Sequence, residues 1–203
     1  MTVDDYSWWR TWRPQWAEAH CVTLVGDIGV DDLVSAWHGE TVAVAHGFDD
    51  FFAHVVADWP DGYDPSVATI GVTAATDGWT LVAEVNGFLG VTEGLVGPVS
   101  SGRTVVSHFA NVNAVHTFHW WRDGRLLVDA DLMFPAERTG SDPDALVGHA
   151  RAVGLPLDAD ADDLVATVDL SAAGFALAHD VTGVGCGPES LQGAIFQVAR
   201  VQI

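Results

Sequence analysis

Two Asp-Gly dipeptides, Asp77-Gly78 and Asp123-Gly124, constrain the fold of this 203-residue chain more than any other feature. Each lies between runs rich in β-branched and aromatic residues, and Asp-Gly accepts the left-handed backbone of a tight hairpin turn with little strain. The first joins Val67-Ala-Thr-Ile-Gly-Val-Thr-Ala to Trp79-Thr-Leu-Val-Ala-Glu-Val-Asn. A two-residue turn there sets Ile70 against Val85, Val72 against Ala83 and Ala74 against Leu81, three apolar pairs on one face. The second joins Ala114–Trp121 to Arg125–Asp131. A further strand, Arg103–Phe109, leads into it through Asn111-Val112-Asn113, where Asn suits a turn. The middle of the chain is thus expected to be an antiparallel meander.

The flanks read differently. Trp12, Trp16, Ala19, Val22 and Val25 recur near helical spacing, which predicts a helix over Trp12–Val25. Asp31–Trp37 reads as a short helix ending at Gly39, and Thr41–Ala45 as a strand. Asp49 or Asp50 is placed to cap a helix running through Val55–Ala57. Asp142-Pro143 opens another helix, with proline in its first turn. A longer helix is expected from Asp160 or Asp162 to about Val181, ending at Gly183. Pro188–Ala194 and an edge strand through Val198 and Val201 finish the chain. Strands followed by helices give an α+β class. The expectation is one domain over residues 1–203, with a mainly antiparallel sheet of five or six strands. Its parts are a helical segment over 12–58, a meander over 67–134 and a helical segment over 142–195.

Charge removes several functions. The chain has 22 Asp and 6 Glu against 8 Arg and no Lys, a formal net charge of −20. Without lysine there is no Walker-A lysine, no Schiff base and no kinase-type ATP lysine. Eight arginines cannot offset 28 carboxylates on a phosphate backbone, so nucleic acid is not an expected partner. The first nine residues show neither a basic n-region nor a long apolar core, and Cys21 and Cys186 form no C-x-x-C pair. A cytoplasmic protein with reduced thiols is expected. High-GC coding bias or salt adaptation produces the same acidity without a partner.

Hairpin arithmetic gives one candidate site. A two-residue turn at Asp123-Gly124 puts His116 opposite Asp131, with Asp129 one row away. A symmetric turn at Asn111–Asn113 puts His108 opposite His116. Two imidazoles and a carboxylate in one row could hold a divalent transition metal or exchange a proton. A one-residue slip destroys the row. Asp158, Asp160, Asp162 and Asp169 fall at calcium-loop positions, but Asp163 replaces the required glycine, so helix-start acids are the plainer reading. Gly183-Val-Gly-Cys-Gly-Pro follows a helix rather than a strand and reads as a C-cap and loop. The N-terminal tryptophans, Trp8, Trp9, Trp12 and Trp16, either pack on the sheet or form a protein-binding patch.

Ala17-Glu-Ala-His-Cys-Val-Thr-Leu-Val, Trp79-Thr-Leu-Val-Ala-Glu-Val-Asn-Gly and Ser101-Gly-Arg-Thr-Val-Val-Ser-His-Phe-Ala-Asn-Val-Asn-Ala together resemble an uncharacterised actinobacterial domain family. Phe118–Leu126, Gly140-Ser-Asp-Pro-Asp-Ala-Leu and Val181-Thr-Gly-Val continue the resemblance in order. It implies a soluble single-domain protein and brings no reaction. Glu84, Asn86, Asn111 and Asn113 belong to the pattern and are its candidate binding residues; His108 and His116 do not. The leading expectation is a non-enzymatic acidic module that binds a basic protein and needs no cofactor, in the manner of an immunity or antitoxin protein. The alternative is a metal-assisted hydrolase or small-molecule enzyme using His108, His116 and Asp131, with Asp129 nearby.

Overall fold

Eight strands join in one antiparallel sheet in the computed structural model, which describes residues 1–59, 64–76 and 78–203. They are β1 (His20–Gly26), β2 (Glu40–His46), β3 (Val67–Ala74), β4 (Trp79–Val85), β5 (Thr104–Ala110), β6 (His116–Arg122), β7 (Arg125–Asp131) and β8 (Ile195–Gln202). Side by side they run β2-β8-β3-β4-β1-β5-β6-β7. The α+β class stands; the strand count is eight, not five or six.

The strand missed outright, β1, comes from a segment expected to be helical. His20–Gly26 is the central strand β1, buried along its whole length. A strand covered on both faces shows no alternation, so its apolar residues fit helical spacing as readily as strand spacing. The helical part of that segment is two short pieces, α1 (Trp9–Trp12) and α2 (Pro14–Glu18). They break at Arg13, which the following proline keeps out of the helical region. β8, expected at an edge, lies between β2 and β3, and β2 forms the edge instead.

The remaining helices are α3 (Val30–Ala36), α4 (Phe48–Ala57), α5 (Glu93–Val99), α6 (Leu146–Val153), α7 (Ala161–Thr167), α8 (Leu170–Thr182) and α9 (Pro188–Gly193). The single helix expected from Asp160 to Val181 is two, α7 and α8, set at 85°. Asp169 makes the break: its carboxylate accepts the N–H groups of Ser171 and Ala172 and caps α8. Asp160 caps α7 in the same way, through the N–H of Asp163. Two of the calcium-loop acids are therefore helix caps. Gly183, at φ +77°, closes α8 as expected. Among the described residues no single helix is long and apolar enough to cross a membrane.

Both faces of the sheet are covered. On the first, Val22, Leu24, Ala83, Val106 and Phe118 pack beneath α1, α2, α4, α6 and α8. On the second, Val25, Ile70, Val72, Val82 and Val105 meet Leu33 and Trp37 beside α3 and Val96 and Val99 from α5. Trp9 and Trp16 are buried, with ring centroids 4.1 Å from Phe175 and Phe48 respectively. Those two tryptophans are core rather than a recognition patch.

Register separates expectation from fold most sharply. β3 and β4 pair as Ile70↔Glu84, Val72↔Val82 and Ala74↔Thr80, one residue away from the expected partners. Ala75 N–H donates to the Trp79 carbonyl, so three residues, not two, close that turn. Asp77, half of the expected dipeptide, lies outside the described residues. The Asp123-Gly124 turn does close with two residues, at φ +50° and +73°, pairing Arg122 with Arg125.

Close packing of α8 on β5 fixes a test. A Cβ at Gly174 would lie 2.3 Å from Cγ of His108, whereas one at Gly148, inside α6, would meet nothing within 4 Å. Gly174→Ala is expected to cost about 1–3 kcal/mol by overpacking, while Gly148→Ala gains about 0.5–1 kcal/mol through helix propensity. Urea denaturation of the two variants checks both signs, and a neutral Gly174→Ala would mean that α8 does not seat on His108.

Candidate functional site

The expected row His108–His116–Asp131 is not formed, for two reasons of register. Asn111 N–H donates to the Val115 carbonyl and Asn111 Oδ1 accepts from the N–H of Asn113, so the turn closes over residues 112–114. β5 and β6 consequently pair as His108↔Phe118 and Ala110↔His116. The shift is two residues, which preserves the face. His108 and His116 remain neighbours, with ring centroids 6.1 Å apart. In the next hairpin a bulge intervenes: Trp121 pairs with Leu126 but Trp120 with Val128. The extra residue, Leu127, turns everything beyond it to the other face. Asp131 then pairs with Thr117 and Asp129 with His119, so both aspartates lie across the sheet from His108 and His116. Asp131 instead accepts the N–H of Met133.

His20, which the helical reading of Trp12–Val25 hid, takes the place of an aspartate. Its ring lies 5.1 Å from that of His108, so three imidazoles cross β1, β5 and β6 on the first face. Trp9, Phe175 and the backbone of Gly174 close over them. Both nitrogens of His20 and His108 and Nδ1 of His116 are buried without a hydrogen-bond partner among the described residues. Burial pushes His20 down to about 3, and the neighbouring His116 adds to that, against a smaller pull from the carbonyls of Trp16 and Ala17. Burial likewise drives His108 well below the ordinary range and lowers His116. Burial thus favours the uncharged form of all three rings, most strongly at the fully buried His20 and His108. Among the described residues no set of three His, Cys, Asp or Glu side chains is arranged to hold a metal ion.

The second face carries Glu84, buried at the centre of the sheet. Its Oε2 accepts the N–H of Leu89 at 2.9 Å and its Oε1 that of Gly90 at 3.0 Å. Asn86, at φ +52°, turns the chain after β4, and its N–H donates to the Ala19 carbonyl. Gly87 then passes so close that a Cβ would lie 2.3 Å from Glu84 Oε2. A Cβ at Gly90 would lie 1.9 Å from Thr23 Oγ1. The run Val85-Asn86-Gly87 with Glu84 before it is thus a clasp, in which a left-handed turn folds two amides onto a carboxylate. Burial raises Glu84 to about 7, the two amides opposing it. Asn111 organises its own turn and Asn113 is exposed on it.

The chain belongs to the family of unknown function DUF6461, which matches residues 1–203. No similar curated protein and no similar solved structure was found. In this DUF6461 chain the meander holds a histidine–aspartate pair that register arithmetic missed: His119 Nε2 lies 3.2 Å from Asp129 Oδ1. Ser107 pairs with His119 in the next strand, so serine, histidine and aspartate fall in one row. The serine is buried, however, and its Oγ accepts from Thr23 Oγ1 at 3.1 Å. Nδ1 of His119 has no partner among the described residues. Cys21 and Cys186 are buried free thiols that burial pushes up, Cys186 to about 12. A thiol so placed is not a nucleophile at neutral pH.

Burial of Glu84 and the histidines sets the response to pH. Glu84 holds its proton to about pH 7 in the fold but loses it near 4.5 when unfolded, so stability falls as pH rises through that window. His20 stays neutral to about pH 3 while its unfolded form charges near 6.5, so stability falls as pH drops through that range. Glu84→Gln is expected to abolish the first decline, a relative gain on the order of 3 kcal/mol between pH 4.5 and 8. His108→Leu should shallow the acid-side loss. Guanidinium titrations across pH 4–8 measure both, and variant curves parallel to wild type would mean that these groups change protonation little on folding.

Proposed function

We propose that this DUF6461 chain is a non-enzymatic acidic module that binds a basic protein, an immunity- or antitoxin-like inhibitor being one concrete form. The observation that carries the reading is a division of labour between interior and surface. Side chains able to do chemistry, namely Cys21, Glu84, Ser107, His20, His108 and His119, are buried against packing or held by backbone amides. Acids outnumber the other exposed ionisable groups, although His38, His46 and several arginines are exposed as well. Asp31, Asp32, Asp49, Asp50, Asp158, Asp160, Asp162 and Asp163 all lie on the surface, in or beside the first turns of α3, α4 and α7.

Half of the arginines are held beside single carboxylates, so each neutralises one acid locally and the net charge stays at −20. Arg10 pairs with Asp169, Arg13 with Asp49, Arg138 with Asp144 and Arg200 with Asp58. A surface of one sign steers an oppositely charged partner and raises its encounter rate. Two free, buried cysteines suit a reducing compartment, and the reading places the protein in the cytoplasm without a cofactor.

Native mass spectrometry of the protein drawn gently from its host at low salt is the first step, to name a stoichiometric basic partner. Stopped-flow mixing of the purified pair then tests the reading. The association rate is expected to fall at least about tenfold between 0.05 and 0.5 M salt. A rate indifferent to salt would remove the electrostatic basis of the reading, as would recovery of the protein as a bare monomer.

A further inference from the structure

The two edges of the sheet are finished differently. At the β7 edge the chain returns and pairs with itself: Asp129 and Thr139 exchange backbone hydrogen bonds of 2.9 and 2.7 Å. The N–H groups of Ser141 and Asp142 donate to the carbonyls of Leu126 and Leu127. That edge is closed. At the other edge, Gly47 N–H donates inward to the Ala194 carbonyl, while His46 N–H donates to Oδ2 of Asp50 at 2.8 Å. In an antiparallel ladder the inward and outward residues alternate. Ala45 therefore bonds to β8, and the N–H and carbonyl of Val44 point outward. Among the described residues no other segment pairs with this side of β2.

Side chains along the open edge are apolar where edge strands are ordinarily charged. Val44 is 56% exposed and Val42 40%, and Ile195, opposite His46 at the start of β8, is 59% exposed. Acids bracket them. Glu40 starts the strand, and Asp50 is held at its far end by the His46 amide. We propose that β2 is a docking strand that accepts an extended basic-and-apolar segment of a protein partner as a ninth strand. Val44 would supply the backbone pair, Val42, Val44 and Ile195 the apolar contact, and Glu40 and Asp50 the charge recognition. This rests on the reading of the chain as an acidic binding module and names the surface that module uses.

Charge also decides against a second copy as occupant. Antiparallel pairing of two β2 edges about Val44 would bring Glu40 of each chain toward Asp50 of the other, Asp49 being already paired with Arg13. Each chain carries a net charge of −20 besides. Like charges so placed oppose pairing.

The test titrates the full-length protein at low salt with a synthetic eight-residue peptide of alternating Arg and Val, and reads amide hydrogen exchange. Exchange at Val44 is expected to slow by about tenfold or more, with protection centred on β2. Val44→Pro removes the outward N–H, and Val44→Lys leaves the backbone intact but repels the peptide. Both variants should lose the protection while retaining the wild-type exchange pattern in β1, β4 and β5. Should Val44→Pro unfold, Val44→Lys alone decides. Peptide binding with protection elsewhere, insensitive to Val44→Lys, would overturn the docking strand and leave the acidic-module reading standing. Failure of the peptide to bind at all at low salt would overturn both. Protection of β2 without peptide, accompanied by a dimeric mass in light scattering, would replace the basic segment with a second copy.

Discussion

A carboxylate buried at the centre of an eight-stranded sheet must be satisfied, and the way Glu84 is satisfied organises the second face. Two amides of the same short loop, those of Leu89 and Gly90, bond its two oxygens. That requires the chain to reverse immediately after β4 and lie flat on β1. Asn86 supplies the left-handed turn, and Gly87 and Gly90 let the backbone approach to distances that any Cβ would forbid. Leu89 is thereby seated in the second core and α5 starts from a fixed point. Trp16 ties in the opposite layer, since its indole N–H donates to the carbonyl of the same Glu84. One residue thus anchors the sheet to a loop through its side chain and to the N-terminal helices through its backbone.

On the first face the analogous role falls to imidazoles whose buried nitrogens have no hydrogen-bond partner among the described residues. His20 and His108 fill space between β1, β5 and α8 among Trp9 and Phe175, with the half-buried His116 stacked beside His108. Their burial is possible because α8 presents glycine, not a side chain, above His108. The cost of leaving polar nitrogens unpaired is real, of order 1–3 kcal/mol each. Ring contacts of His20 with Trp9, Trp16 and Phe175 and of His108 with Phe175 oppose that cost. The consequence for function is that groups which sequence reading would nominate for catalysis are packed inside, and charge is left to the surface.

The sequence makes much of the meander legible. The Asp123-Gly124 turn, the strands on either side of it, the helical turn opened by Pro143, the cap at Asp160 and the stop at Gly183 follow from local chemistry, because each depends on residues within a few positions. The candidate site was not legible, because it depended on counting across turns. At Asn111–Val115 the count was off by two residues, which moves a side chain along the strand but keeps its face. At Leu127 it was off by one, which changes the face. His20 was hidden for a different reason: a strand buried on both sides carries no periodic signal to distinguish it from a buried helix.

Composition and local pattern determined by themselves that the chain is acidic, lacks lysine chemistry and folds around antiparallel hairpins; these depend only on charge and on backbone preferences of neighbouring residues. Tertiary structure alone decided that β1 is the centre of the sheet, that β8 inserts between β2 and β3, and that one edge is closed by its own chain while no other described segment pairs with the outer side of β2. Those outcomes turn on contacts between segments far apart in sequence. A bulge, a clasped carboxylate or a missing Cβ fixes which of several locally equal registers fills the core.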